Sequence, residues 1–127
     1  MNKFFNLSKE QQRMVIVQTS SKTALVPEVV EKDLWVTVML QLVFALPYSD
    51  KLIFKGGTSL SKIWHIIERF SEDIDLALDY AYFGLEGDFT IKKIKKLRKQ
   101  SSSFVRDTVC KDLRKIISHY GIGRLCI

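Results

Sequence analysis

The sequence predicts an α+β fold, and three observations carry that prediction. Residues 27–46 hold an apolar stripe at helical spacing. Two short segments, "LIF" (52–54) and "DIDLALD" (73–79), read as strands. From residue 91 to about 120 the pattern is helical again. The implied order is helix, helix, strand, helix, strand, helix, with a short mixed sheet packed by helices.

Each element has a local reason. In "LSKEQQRMVIVQTS" (7–20), Ser8 is placed to cap a helix and Gln11, three residues later, to complete a capping box. Met14, Val15 and Val17 give that helix an apolar patch. In 27–46, Pro27 suits the first turn, and Glu28, Glu31 and Asp33 lie near the positive end of the dipole. Val30, Leu34, Val38, Leu42 and Leu46 recur every four residues, flanked by Val29, Trp35, Met39 and Val43, a stripe wide enough to require burial. "PYSDK" ends it. "LIF" is a continuous apolar run, the pattern of a buried strand. "GGT" breaks it, and Leu60, Ile63, Trp64 and Ile67 restore helical spacing over 59–69. "DIDLALD" alternates, with Ile74, Leu76 and Leu78 on one face and Asp73, Asp75, Ala77 and Asp79 on the other. A βαβ crossover would make the two strands parallel, and a mixed sheet fits as well. "GLEGD" (84–88) reads as a loop, and "QSSS" (100–103) as an interruption of the last helical stretch.

At 127 residues the chain is expected to form one domain over 1–127: a helical part (1–50), a core (51–80) and a basic helical part (91–120). No apolar run reaches the roughly 18 residues of a membrane span. The start, "MNKFFNLSKEQQ", turns polar too soon for a secretory signal, so the expected location is cytoplasmic, without membrane contact. Cys110 and Cys126 have neither metal-ligand nor redox spacing and are expected as free thiols. The net charge of +6 is uneven: residues 1–90 carry 9 Lys+Arg against 12 Asp+Glu, and residues 91–127 carry 11 against 2. A basic second part suits a polyanion; it is equally the solvated face of a helix. His65 and His119 read as surface or packing residues.

Two features point to chemistry. In "LIFKGGTSLSK", glycines stand where a strand turns into a helix. Glycine lets the backbone turn sharply and approach a ligand closely, and helix N–H groups favour a phosphate. Thr58 and Ser59 add hydroxyls, and Lys62 is one turn further on. The spacing is neither GxxxxGK[ST] nor GxGxxG, and alone the pair is also an ordinary tight connection. In "DID", residues i and i+2 of a strand share a face about 7 Å apart. Two carboxylates so placed repel unless a cation lies between them, and hard divalent cations are held this way with substrate phosphates completing the shell. Two-metal phosphoryl and nucleotidyl transfer uses this arrangement. Alone, an acidic strand edge that resists aggregation has the same pattern. Glu72 points to the opposite face, with Arg69 as a plausible partner.

Together, "FKGGTSLSK" and "ERFSEDIDL" resemble the AbiEii/AbiGii-type toxin family of nucleotidyltransferases, within the polymerase-β-like superfamily. An upstream "EKD.WV", present as Glu31, Lys32, Asp33, Trp35 and Val36, belongs to the same pattern, so the resemblance runs from about Pro27 to Leu78. It implies a truncated polymerase-β-like core, the N-terminal part only. It implies that Gly56, Gly57, Thr58 and Ser59 hold a nucleoside triphosphate and that Asp73 and Asp75 are catalytic and ligate Mg²⁺. Lys62 would neutralise phosphate charge, and Arg69 and Ser71 would brace the motif or touch nucleotide. Family members are toxins of bacterial toxin–antitoxin or phage-defence systems, some transferring nucleotides to tRNA. An antitoxin and an RNA acceptor are therefore implied partners, and "KKIKKLRK", with Lys92, Lys93, Lys95, Lys96, Arg98 and Lys99, suits RNA phosphates.

The sequence departs from the superfamily in one respect. A third acidic residue is usual on a later strand. After residue 80 no strand pattern carries one: Asp88 is in a loop, and Asp107 and Asp112 are in a helical pattern. The expectations are weak or absent transfer by this chain alone, and association of copies through an open sheet edge. Alternative readings are a catalytically incomplete nucleotide- or partner-binding fragment and a basic nucleic-acid-binding module.

Overall fold

The computed structural model describes residues 2–65 and 73–120. Helix α1 (Asn2–Phe5) leads into α2 (Lys9–Thr23) and α3 (Pro27–Phe44). The capping box forms as its sequence predicts: the Gln11 amide donates to Ser8 Oγ at 3.2 Å and the Ser8 amide donates to Gln11 Oε1 at 3.0 Å. Pro27 occupies the first turn of α3 after Val26 in extended conformation, where its missing N–H costs nothing.

Helix α3 is the centre of the molecule. Val36, Val38, Leu42 and Val43 on it are buried. Around Val38 and Leu42 pack Phe5, Leu34, Trp35 and Met39, together with Leu113, Ile116 and Ile117 of the last helix, α6 (Cys110–His119). The apolar patch of α2 does not join this core: Met14 is 57% exposed, and Val15 and Val17 are exposed as well.

Strands β1 (Leu52–Lys55) and β2 (Asp75–Leu78) pair with the register Leu52↔Leu78, Ile53↔Ala77, Phe54↔Leu76 and Lys55↔Asp75. The pairing is antiparallel, so the parallel arrangement of a βαβ crossover does not occur, and among the described residues the sheet is an antiparallel pair rather than a mixed one. Helix α4 (Gly56–Lys62) is seven residues, about 10 Å long at 1.5 Å per residue, and it ends before His65, whose φ is +50°. The later part of the helix predicted over 59–69 lies outside the described residues. Because opposite residues in an antiparallel pair share a face, Leu52, Phe54, Leu76 and Leu78 form one side of the sheet. Phe54 meets Phe44 of α3 edge-on at 6.4 Å. The other side carries Ile53, Lys55, Asp75 and Ala77, and it is open: Ile53, Lys55 and Asp75 are exposed.

Helix α5 (Ile91–Phe104) is capped by Thr90, whose hydroxyl accepts from the Lys93 amide at 3.3 Å. It runs through "QSSS" unbroken, and the Ser101 hydroxyl donates back to the Arg98 carbonyl at 3.2 Å. The predicted interruption falls just beyond, as a π-helical turn over Val105–Val109. That turn absorbs one extra residue, so Phe104 meets Tyr48 and Tyr82 while Leu113 and Ile116 still face α3. Tyr48, buried beneath Phe104 at 5.0 Å, donates its hydroxyl to Asp112 Oδ2 at 3.3 Å. Burial, followed by the Asp112 charge, raises its pKa from 10.0 to about 12.

Two predictions follow from this packing. Leu42→Ala lowers unfolding free energy in urea by about 2–5 kcal/mol, whereas Met14→Ser on the exposed patch changes it by less than about 0.5 kcal/mol. Tyr48 is neutral in the folded chain to a higher pH than in the unfolded one. Its contribution is fully present below pH 10 and is lost as pH rises through about 12. In a phenolate absorbance titration, Tyr48→Phe removes the ionisation that burial delays to about pH 12 and flattens the fall in stability across that window.

Candidate active site

The glycine turn and the acidic strand meet at one end of the sheet. β1 ends at Lys55, and the chain enters α4 through Gly56 at φ +80°. A Cβ there would stand 2.1 Å from Asp75 Oδ2 and 3.0 Å from Asp75 Cβ. Only glycine accepts both the left-handed backbone and the carboxylate lying against it. Antiparallel pairing is what brings them together. In a parallel pair Asp75 would sit at the far end of β1, about 10 Å away at 3.3 Å per residue.

The remaining predicted residues divide by position. Asp73 and Asp75 are both exposed, Asp73 before β2 and Asp75 as its first residue. Gly57 is half-buried, and Thr58 and Ser59 are 1% and 4% exposed. The Thr58 hydroxyl donates to the backbone carbonyl of Asp73, tying α4 to the acidic strand. Lys62 turns away from the turn: its Nζ lies 2.6 Å from Asp33 Oδ1 and donates to Thr37 Oγ1 at 3.1 Å, both on α3. Arg69, Ser71 and Glu72 lie outside the described residues. Asp79 is also occupied, since its carboxylate accepts from the Ala81 amide at 2.9 Å and caps a 3-10 turn.

The Asp75 carboxylate at the glycine turn offers hard oxygen donors, which fit Mg²⁺. Asp73 precedes β2, which starts at Asp75 rather than at 73, so it lies outside the strand whose alternation is expected from the sequence to put the pair on one face. Among the described residues no third His, Cys, Asp or Glu joins them as a ligand group. Asp112 is engaged by Tyr48, and Asp107 pairs with Arg106 at 3.2 Å. One residue close to the pair was missed by spacing alone. Lys55 is the direct cross-strand neighbour of Asp75 on the open face. It stands in the quoted "FKGG", but only the strand register reveals what it faces.

The basic segment lies elsewhere. Lys92, Lys95, Lys96, Arg98 and Lys99 are exposed on α5, while Lys93 is half-buried and donates from Nζ to the Glu86 carbonyl at 3.0 Å. The inner side of α5 faces Leu76 and Leu78 across an open apolar cleft of about 660 Å³ that also includes Leu97, Val105 and Cys110. Leu76 alternates with Asp75, so α5 covers the side of the sheet opposite the carboxylates.

The family model described as "Nucleotidyl transferase AbiEii toxin, Type IV TA system" matches residues 39–126. The chain belongs to the AbiEii family. No curated protein and no solved structure matches it. AbiEii membership gives the turn and the acidic strand a common context, a nucleotidyltransferase-like toxin domain of a toxin–antitoxin system. Among the described residues no helix is long and apolar enough to cross a membrane.

The contact between Gly56 and Asp75 is testable against an internal control. Gly84 also has positive φ, +68°, but a Cβ there meets nothing within 4 Å. Gly84→Ala carries backbone strain alone, about 1–3 kcal/mol. Gly56→Ala carries that strain and also displaces Asp75, so in chemical denaturation it is the more destabilising of the two.

Proposed function

We propose that this AbiEii-family domain binds a nucleoside triphosphate with Mg²⁺ at the Gly56–Gly57 turn and serves nucleotide transfer to RNA such as tRNA, with transfer by this chain alone weak or absent for want of a third carboxylate among the described residues. The observation that carries this reading is the convergence of the turn with Asp75, since a phosphate seat and a cation seat serve one ligand. Asp73 and Asp75 hold the metal, which supplies charge neutralisation at the phosphate oxygens. The turn presents backbone to the phosphates. Thr58 keeps α4 and Asp73 in a fixed relation, Ser59 is buried beside it, and by family resemblance Arg69 and Ser71 brace the motif or touch nucleotide. In the transfer, an acceptor hydroxyl oxygen bonds the α-phosphorus and releases its proton to solvent, the bond from that phosphorus to the bridging oxygen breaks, and pyrophosphate leaves.

The exposed lysines of α5 suit RNA phosphates, which position the acceptor without reading its sequence. Their place on the opposite side of the sheet favours a second reading, in which α5 is a nucleic-acid-binding surface working independently of the carboxylates. The cognate antitoxin and a cytoplasmic setting complete the proposal.

Nucleotide-dependent thermal stabilisation tests it. At 100-fold excess over Kd, a nucleotide stabilises the fold by about 2.7 kcal/mol. That gain requires Mg²⁺ and disappears in Asp73→Ala, a change that keeps the backbone carbonyl held by Thr58. Incorporation of labelled nucleotide into tRNA, abolished by Asp75→Ala, establishes transfer. RNA binding without any nucleotide effect supports the independent α5 surface instead.

A further inference from the structure

Three lysines lie on the segments around the glycine turn: Lys51 just before the far end of β1, Lys55 at its near end, and Lys62 at the end of α4. Two of them are committed. Lys51 Nζ lies 3.0 Å from Asp50 Oδ2. Lys62 is held by Asp33 at 2.6 Å and by Thr37, and is half-buried between α4 and α3. Freeing Lys62 for a ligand would break a charge-assisted bond and loosen α4 from α3.

Lys55 is different. It is exposed and makes no ion pair or side-chain hydrogen bond among the described residues. The register sets it directly opposite Asp75 on the same open face, where side chains begin about 5 Å apart. The Asp75 carboxylate is turned toward Gly56 rather than toward this neighbour. The face therefore presents an unpaired ammonium beside a carboxylate aimed at the turn. A polyphosphate bound with a divalent cation has the complementary arrangement: its cation meets Asp75 and its anionic oxygens meet Lys55.

We infer that Lys55 is the cationic residue that binds the polyphosphate chain of the nucleotide, and that Lys62 acts structurally, locking α4 to α3. This rests on the nucleotide reading above. A lysine is suited to the task as a flexible point charge with three donors.

The test is calorimetric titration of the full chain with Mg²⁺ alone, with Mg²⁺–tripolyphosphate, and with each Mg²⁺–nucleoside triphosphate. Lys55→Met is expected to weaken tripolyphosphate and nucleotide binding by about 10- to 100-fold, the range for one hydrogen bond to a charged group. It leaves Mg²⁺ alone bound as well as before or better, because a neighbouring positive charge has been removed. Lys55→Arg restores most of the anion affinity. Lys62→Met lowers the melting temperature while ligand affinity stays within about three-fold, a change under 1 kcal/mol. Wild-type anion affinity in Lys55→Met overturns the inference, as does loss carried by Lys62→Met instead. Equal weakening of metal and anion in Lys55→Met also overturns it, since that marks damage to the whole site. A wild-type chain that binds neither tripolyphosphate nor nucleotide with Mg²⁺ overturns the underlying nucleotide reading as well.

Discussion

The pairing of Lys55 with Asp75 is the contact on which the site depends. It joins the last residue of β1 to the first residue of β2. Everything chemically distinctive follows from that one register. It puts the glycine turn over the acidic strand and leaves Asp75 against a backbone without a side chain. It also leaves a lysine beside the pair. A slip of one residue would send Asp75 to the opposite side of the sheet. The slip is opposed by Leu76 and Leu78, which would then leave the side that meets α3 and α5 for solvent.

Two short strands cannot hold such a register alone. Helix α3 supplies the support. Phe44 at its end meets Phe54 of β1, Asp33 and Thr37 in its middle hold Lys62 of α4, and Val38 and Leu42 receive α6. The glycine turn is thus fixed at both ends to one rigid helix. The acidic strand is fixed to the turn by its ladder and by the hydroxyl of Thr58. The "EKD.WV" stretch, which reads only as a helix start with a family likeness, acquires a mechanical purpose through Asp33.

Local information was well encoded in the sequence. Ser8 with Gln11, Pro27 and the four-residue repeat from Val30 to Leu46 specify their helices through bonds and contacts close along the chain. The strands were visible for the same reason. Strand direction was not, because the choice between parallel and antiparallel lies in how two distant segments meet. The partner of Lys62 was equally hidden: on a helix it looks like a cation one turn from the glycines, and only tertiary packing brings Asp33 to it. The serines at 101–103 suggest a break by composition, yet Ser101 bonds to its own helix backbone, and the irregularity falls where α6 must realign with α3. Met14, Val15 and Val17 are apolar at helical spacing, but spacing alone does not say whether a surface exists to cover them.

The two-sided sheet also imposes a ruler. The α5 lysines and the Asp73–Asp75 pair are separated by the thickness of a helix and a sheet, on the order of 15–20 Å from layer spacings of about 10 Å. If one RNA engages both, its reactive end must extend that far beyond its last contact with α5 and bend around the edge of the sheet. A blunt or short acceptor satisfies one side or the other. Under the proposed function, acceptor choice would be set by the reach of an overhanging strand, with no base having to be read.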